Sequence, residues 1–136
     1  MPKPINLTLN DIPKVAKQIA SELQGGEILA LVGDLGSGKT TFTKALAKHL
    51  KVAKTVTSPT FVIMQEFPAK TQKNNQKITL LHLDLYRTNS FNDIKPLGLL
   101  EIWGNKKVIT IIEWADKIKN YLPKKTQIIY FKHPLP

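Results

Sequence analysis

Residues 33–40, Gly-Asp-Leu-Gly-Ser-Gly-Lys-Thr, constrain this chain more than any other segment. Two glycines flank four residues and are followed by lysine and threonine, which is the pattern of a phosphate-binding loop. Glycines let the backbone N–H groups approach an anion closely, and the N-terminus of a following helix adds positive potential. An apolar segment at 27–32 precedes the loop, and apolar residues recur at helical spacing in 39–51. The pattern therefore predicts a phosphate site between a buried strand and a helix.

The residues of this loop have distinct expected roles. Lys39 would contact the outer phosphates of a nucleotide, and the Thr40 hydroxyl would bind Mg²⁺. We expect the Lys39 side chain to be exposed until phosphate arrives. The residues expected to bind the nucleotide are Gly33, Asp34, Leu35, Gly36, Ser37, Gly38, Lys39, Thr40 and Thr41. The alternative, a glycine-rich turn with a chance lysine, is disfavoured by the strand and the helix on either side.

Composition limits the class of protein. The 136 residues, 42% hydrophobic and without cysteine, suit a single domain over residues 1–136 that needs no oxidising compartment. No apolar run approaches the ~18 residues of a membrane span, and the N-terminus lacks the apolar segment of a signal peptide. We therefore expect a cytoplasmic protein with no membrane partner.

The charge of the chain is strongly positive, with a formal net charge of +10. A basic surface is compatible with nucleic acid, with an acidic protein partner or with a merely solvated face, and the sequence leaves all three open. Arg87 is the single arginine, since every other basic residue is a lysine. Because arginines are preferred for clamping a transferring phosphoryl group, this composition disfavours a kinase with an arginine-lined lid.

The order of predicted elements indicates an α/β fold. Strands are expected at 5–9, 27–32, 61–67, 78–83, 108–112 and 126–131. Helices are expected from Asn10 or Asp11 to Gly25, at 39–51 and at 115–121, with short turns of helix after Ser90 and at 99–103. Residues 68–77 are polar and lysine-rich and are expected to connect a hairpin. We predict a three-layer sandwich typical of phosphate-loop NTPases, with helices on both faces of a mostly parallel sheet that the first strand and the 61–84 hairpin make mixed.

Two carboxylates stand directly after apolar strands. Asp84 and Glu113 would converge at the carboxyl edge of the sheet, where ligands of open α/β sheets bind. There they could hold Mg²⁺ or position an attacking water, although each could instead cap a strand-to-helix turn. The hydroxyl-rich segment Thr57, Ser58, Pro59 and Thr60 is compatible with a switch loop over the nucleotide, although its composition alone favours ordinary turn chemistry.

Three further side chains near this edge have two interpretations each. His82 faces the same side as Asp84, but a lone strand histidine is more often a packing residue than a catalytic one. Trp114 could cover the nucleotide site or fill the core, whereas Trp103 is expected in the core. Arg87 is expected to anchor an ion pair rather than to act in a transition state.

Five motifs together resemble the bacterial TsaE (YjeE-type) family of small ATPases. They are Gly-Asp-Leu-Gly-Ser-Gly-Lys-Thr-Thr-Phe at 33–42, Thr-Ser-Pro-Thr-Phe at 57–61, His-Leu-Asp-Leu-Tyr-Arg at 82–87, Leu-Gly-Leu at 97–99 and Ile-Glu-Trp at 112–114. The first motif occurs in many ATPases, while the set in this order is specific. One departure is Leu83, where the family usually has Phe.

The resemblance implies an ATPase required for threonylcarbamoylation of an adenosine in tRNA, acting with the TsaD and TsaB proteins. It implies ATP and Mg²⁺ as cofactors and leaves direct contact with tRNA open. The catalytic residues it implies are Lys39, Asp84 and Glu113; the metal-site residues are Thr40, Glu113 and Asp84; Asn10 and Trp114 adjoin the nucleotide; and Thr57 to Thr60 match the switch loop. We expect slow hydrolysis alone and stimulation by partners. The alternatives are a small-molecule kinase and a non-hydrolysing, nucleotide-gated binding module.

Overall fold

The computed structural model describes residues 2–54, 56 and 64–132. Within these ranges one sheet is formed in the order β1-β6-β2-β5-β4-β3. Its strands are β1 (Ile5–Thr8), β2 (Ile28–Val32), β3 (Met64–Lys70), β4 (Lys77–Asp84), β5 (Val108–Glu113) and β6 (Gln127–Lys132). The α-helices are α1 (Ile12–Glu22), α2 (Lys39–His49) and α3 (Leu99–Ile102). The 3₁₀ helices are η1 (Leu9–Asp11), η2 (Phe91–Asp93), η3 (Lys95–Leu97) and η4 (Ala115–Tyr121).

The sheet is mostly parallel, as predicted. The hairpin of β3 and β4 makes it mixed, whereas the first strand, which was also expected to do so, does not. Among the strands within residues 2–54, 56 and 64–132, only β3 runs antiparallel, paired with β4. β1 lies parallel to β6, with Ile5 opposite Ile129, so the expectation that the first strand also makes the sheet mixed was wrong. β1 lies at the edge of the sheet, next to β6 and separated by it from β2, and it runs in the same direction as both strands.

Helices cover both faces of the sheet and create two apolar layers. α1 and α2 pack on one face, where α1 buries Ile12, Ala16 and Ala20 at a spacing of four residues. The other face is covered by α3 and the 3₁₀ helices η2, η3 and η4, with a cluster that includes Trp103 and Ile118. The predicted three-layer α/β architecture is therefore confirmed, and so is the core position of Trp103. Among the described residues, no helix is long and apolar enough to cross a membrane.

Two elements differ from their predicted form. β3 extends to Lys70, so Pro68 belongs to the strand rather than to the connection, which is limited to 71–76. Proline is tolerated there because β3 is an edge strand and needs to donate no hydrogen bond on its outer side. Residues 61–63, where this strand was predicted to begin, lie outside the described residues. The segment predicted as a helix at 115–121 is the 3₁₀ helix η4, interrupted at Ile118 by φ −127° and ψ 24°.

The parallel strands bring the candidate site residues to one edge. The loop after β2 leaves the sheet at its carboxyl edge, and β4 and β5 end beside it with Asp84 opposite Glu113 in register. η1 follows β1 at the same edge. The sheet thus gathers residues far apart in sequence around the glycine-rich loop.

Candidate nucleotide-binding site

The glycine-rich loop packs closely on its neighbours at two of its glycines, Gly33 and Gly38. A Cβ atom on Gly33 would lie 2.6 Å from Oγ of Ser37 and 2.9 Å from the carbonyl oxygen of Phe131. Gly38 has φ +110°, and a Cβ there would lie 2.6 Å from Cδ1 of Ile12. These positions require glycine for space and, at Gly38, also for conformation. The loop is therefore a preformed backbone turn held against β6 and the start of α1.

The loop presents backbone N–H groups at the start of α2. Ser37 N–H donates to the carbonyl of Asp34 at 3.1 Å, and Phe42 N–H donates to Gly38 at 2.9 Å, which begins the helix. The backbone N–H groups of Lys39, Thr40 and Thr41, in the first turn of α2, have no carbonyl acceptor within the helix. Asp34, Leu35 and Gly36 are exposed at the tip. The arrangement suits an anion that contacts the first turn of α2.

The Lys39 side chain is folded onto its own loop. Its Nζ donates to the carbonyl oxygens of Gly33 at 2.6 Å and Asp34 at 2.9 Å, and lies 3.5 Å from Oγ of Ser37. Lys39 is only 5% exposed, so the expectation of an exposed loop lysine was wrong. The reason is that the turn directs two carbonyl groups inward, and these satisfy the ammonium group of a buried lysine.

The surroundings of Lys39 make its ammonium group easier to deprotonate. Burial lowers the pKa of the Lys39 ammonium below its usual value, and the nearby carboxylates of Glu113, Asp116, Asp84 and Asp34 raise it only in part. A further negative group beside Nζ would favour the protonated form. A phosphate bound beside Nζ and the protonated form of Lys39 would therefore stabilise each other.

Glu113 connects the start of α2 with the middle of the sheet. Its Oε1 accepts a hydrogen bond from Oγ1 of Thr40 at 3.0 Å, and its Oε2 lies 2.6 Å from Nε2 of His82. Glu113 and His82 are 2% and 0% exposed. The carboxylate is thus oriented from both sides, with one oxygen facing the loop and the other facing β4.

Asp84 lies beside Glu113 but is held differently. The two residues are register partners on β4 and β5, as their positions after apolar strands predicted. Asp84 is half-buried, and its Oδ1 accepts the backbone N–H of Tyr86 at 3.0 Å, so the carboxylate also stabilises the turn after β4. Both expected uses of this residue, at the site and as a turn cap, are compatible with this position.

The residues at this edge fit a bound Mg²⁺. The Thr40 hydroxyl and the Glu113 carboxylate are hard oxygen donors that already lie within 3.0 Å of each other. In the part of the chain that the structure describes, no group of three or more His, Cys, Asp and Glu side chains could enclose a metal alone. Mg²⁺ sites of this kind take one or two protein oxygens together with phosphate oxygens and water. Thr40, Glu113 and the adjacent Asp84 would supply the protein's share.

Trp114 directly adjoins the loop lysine. Its ring centroid lies 4.1 Å from Nζ of Lys39 and 5.1 Å from the ring of Tyr86. Its backbone has φ 60° and ψ 37°, a left-handed conformation that is uncommon for a bulky residue. This conformation turns the chain sharply after β5. Trp114 also packs against the apolar cluster that includes Trp103 and Ile118, so both expected positions are compatible with the structure.

Comparison with known proteins identifies the family of this chain. The family described as "Threonylcarbamoyl adenosine biosynthesis protein TsaE" matches residues 7–134. The chain belongs to the TsaE family. Similar proteins named "tRNA threonylcarbamoyladenosine biosynthesis protein TsaE" include that of Bacillus subtilis, 38% identical over 87% of this chain and 69% of the relative. That of Aquifex aeolicus is 40% identical over 80% of this chain and 73% of the relative.

A solved structure extends the likeness to the backbone. The crystal structure of Bacillus subtilis YdiB matches this TsaE-family chain with a TM-score of 0.64 and 33% sequence identity. The match covers 91% of this chain and 71% of the YdiB chain. The fold and the family resemblance inferred from the sequence motifs are both confirmed.

Some of the remaining predicted residues lie near the loop, and others lie outside the described residues. Thr41 is exposed on the first turn of α2, and Asn10 is exposed in η1. η1 lies close to the loop, because a Cβ on Gly38 would approach Cδ1 of Leu9 within 3.0 Å. The switch-loop residues Thr57 to Thr60 lie outside the described residues, and their role stays a prediction. Arg87 is exposed.

Two side chains make contacts at the site that the sequence did not predict. His82 contacts the Glu113 carboxylate, although its position alone favoured packing. Lys117 in η4 donates to the carbonyl oxygens of Tyr86 and, at 2.9 Å, Thr88, which joins η4 to the turn after β4. A signal for His82 existed, because it lies two residues before Asp84 and therefore on the same strand face. No spacing pattern pointed to Lys117.

Proposed function

We propose that this TsaE-family chain binds Mg-ATP, hydrolyses it slowly and thereby serves tRNA threonylcarbamoyladenosine biosynthesis with the TsaD and TsaB proteins. The observation that carries the proposal is that two features lie together at the carboxyl edge of the sheet. A phosphate-binding loop has its lysine poised on loop carbonyls, and its threonine is hydrogen-bonded to a buried strand-end glutamate. A role in tRNA modification implies that the protein works in the cytoplasm.

The roles of the residues follow from their positions. N–H groups at the start of α2 would bind phosphate oxygens, and Lys39 would exchange its loop carbonyls for the outer phosphates. Bound Mg²⁺ would supply neutralisation of the phosphate charge, with Thr40 and Glu113 holding it. Asp84, on the neighbouring strand end, would orient the attacking water.

We expect the isolated chain to hydrolyse ATP slowly because few of its cations could neutralise the transition state. Efficient phosphoryl transfer needs a cation on the developing charge, and this is often an arginine provided by a partner. The chain has the single arginine Arg87, and the Lys117 ammonium is bound to backbone carbonyls. Lys39 and Mg²⁺ alone would leave the transition state under-neutralised. A partner assembly that completes the site would raise the rate, and ATP would in turn strengthen docking by linkage.

The two alternatives make different demands on the site. A small-molecule kinase would need further cations to clamp the transferred phosphoryl group, and the single arginine argues against it. A non-hydrolysing nucleotide-gated module would bind ATP without turnover. The strand-end carboxylates beside the loop favour hydrolysis over this second alternative.

Turnover measurements separate these functions. ATP hydrolysis would be measured with the purified chain alone and then with TsaD and TsaB added, at low and high salt, using Lys39→Ala as the inactive control. We expect slow turnover alone, an increase of about tenfold or more with partners, and a weaker increase at high salt because the chain is strongly basic. Fast turnover that partners do not change would contradict the proposal and favour the kinase. Binding with no turnover under either condition would favour the module.

A further inference from the structure

The edge of the sheet opposite the nucleotide site is lined with lysines. The parallel strands begin at this amino edge, and the segments that lead into the strands there are 2–4, 24–27, 71–77, 104–107 and 123–126. We call these segments the basic edge. Their lysines are Lys3, Lys73, Lys77, Lys106, Lys107, Lys124 and Lys125, and all seven are exposed. The carboxylate they contain is that of Glu27.

The positive charge of the basic edge is not neutralised within the described part of the chain. The Glu27 carboxylate accepts the backbone N–H groups of Gln24 at 2.8 Å and Gly25 at 2.7 Å, so it serves its own turn. None of the seven lysines forms an ion pair with a carboxylate among residues 2–54, 56 and 64–132. Lys77 of the basic edge also lies opposite Lys70 in the β3–β4 pair, and like charges in this position are unfavourable for strand pairing.

The segments of the basic edge adjoin one another. The side-chain amide of Gln76 donates to the carbonyl of Lys106 at 3.5 Å, and the same carbonyl would lie 2.0 Å from a Cβ on Gly25. Nζ of Lys125 would lie 3.7 Å from a Cβ on Gly104. From β1 to β4 the edge crosses four strand intervals, roughly 19 Å at the usual strand spacing. The lysines therefore form a continuous stripe rather than isolated charges.

The charge of the molecule is divided between its two ends. Asp34, Asp84, Glu113 and Asp116 are grouped around Lys39 at the carboxyl edge, where they act on its pKa. Four carboxylates thus surround the lysine at the carboxyl edge, whereas the basic edge holds seven lysines and one carboxylate. A polyanion attracted to the chain would meet the basic edge without competing for the phosphate-binding loop.

We propose that the basic edge binds the phosphate backbone of RNA. A lysine stripe of this length can face several phosphates, and flexible ammonium groups bind phosphates without reading sequence. RNA is favoured over an acidic protein because the family acts in a pathway whose product is a modified tRNA. This binding does not need ATP, and the proposal stands or falls separately from ATP binding at the loop.

A charge-matched pair of variants tests this proposal. The probe is an unmodified tRNA transcript, and its affinity is measured by fluorescence anisotropy between 50 and 200 mM salt, roughly the range over which phosphate contacts weaken strongly. One variant carries Lys106→Gln, Lys107→Gln, Lys124→Gln and Lys125→Gln. The control removes the same charge elsewhere through Lys14→Gln, Lys17→Gln, Lys44→Gln and Lys95→Gln, which are exposed positions on helices. ATP titrations of both variants show separately that the loop is intact.

The expected result is a difference between the two variants. The edge variant should lose about tenfold or more in tRNA affinity, and its log–log salt dependence should become shallower by about 3. The control should lose less than about threefold. Equal losses in both variants would show that only net charge matters, and undetectable tRNA binding by the unaltered chain at the lowest salt would also overturn the proposal. Polyglutamate that competes as well as RNA would contradict the assignment to RNA.

Discussion

Oε2 of Glu113 lies 2.6 Å from Nε2 of His82, and both side chains are almost completely buried. The other carboxylate oxygen of Glu113 accepts the Thr40 hydroxyl at 3.0 Å. His82 therefore fixes the orientation of the glutamate that faces the phosphate-binding loop. Removing one partner of such a pair leaves the other buried without its contact, which is costly.

The first prediction concerns His82. His82→Leu should destabilise the fold by on the order of 3 kcal/mol, because the Glu113 carboxylate would lose its buried partner. It should also raise the Mg²⁺ concentration needed for tight ATP binding, since Glu113 would no longer be oriented. His82→Gln retains an N–H donor near the Nε2 position and should recover most of the Mg²⁺ dependence. The measurements are thermal unfolding and ATP titration at several Mg²⁺ concentrations.

The double variant His82→Leu with Glu113→Leu provides the control. Because it removes both members of the pair, its loss of stability should be smaller than the sum of the two single losses. Additive losses, or His82→Leu protein with unaltered Mg²⁺ dependence, would show that His82 is only a packing residue.

The second prediction separates binding from hydrolysis. Glu113→Gln and Asp84→Asn keep the size of each side chain and remove its charge at the carboxyl edge. Each should lower ATP turnover by about a hundredfold, while ATP affinity measured at saturating Mg²⁺ changes by less than about threefold. Turnover in the presence of partners and affinity by calorimetry are the two measurements. Parallel losses of both quantities would indicate a structural role, which for Asp84 is its hydrogen bond to Tyr86.

The third prediction uses Trp114 as a reporter. Its ring lies 4.1 Å from Nζ of Lys39, so movement of the lysine onto phosphate should change the indole emission. The measurement needs Trp103→Phe, since Trp103 also emits. That change should be tolerated, because the buried Nε1 of Trp103 has no hydrogen-bond partner among the described residues. An emission spectrum that saturating Mg-ATP leaves unchanged would contradict the assigned position of the ring.

The fourth prediction concerns protons. Burial lowers the pKa of Lys39 in the free protein, and phosphate beside Nζ would raise it again. ATP binding should therefore take up protons at alkaline pH, in the window between the lowered pKa and the raised one. Below the lowered pKa the lysine is protonated in both states, so the uptake should disappear as the pH falls through that lowered pKa. Calorimetry in two buffers of different ionisation enthalpy measures it, and binding heats that stay independent of buffer at alkaline pH would be contrary evidence.

Much of this architecture follows from local sequence patterns. The loop at 33–40, its flanking strand and helix, and the meeting of Asp84 with Glu113 were predicted because each depends on short-range periodicity and on the rule that parallel strand ends share an edge. The direction of β1 could not be derived in this way, since it depends on which neighbour the strand selects. The extension of β3 through Pro68 likewise depends on its being an edge strand.

Side-chain partners were harder to predict than backbone elements. The contact between His82 and Glu113 depends on the register of β4 against β5, which no single strand encodes. The inward fold of Lys39 depends on two loop carbonyls whose direction is set by the glycine conformations. The left-handed backbone of Trp114 is a tertiary constraint on a residue type that rarely adopts it.

ATP affinity of Lys39→Ala, measured by isothermal titration with Mg²⁺ present, tests the central claim most directly. The matched control is Lys44→Ala, an exposed lysine of the same helix. The account predicts that Lys39→Ala weakens ATP binding by about 2–4 kcal/mol, because it removes a charged phosphate contact, while Lys44→Ala binds like the unaltered chain. Far-ultraviolet circular dichroism should show that both variants are folded. Near-normal ATP affinity in folded Lys39→Ala protein would contradict the assignment of this loop as the ATP site.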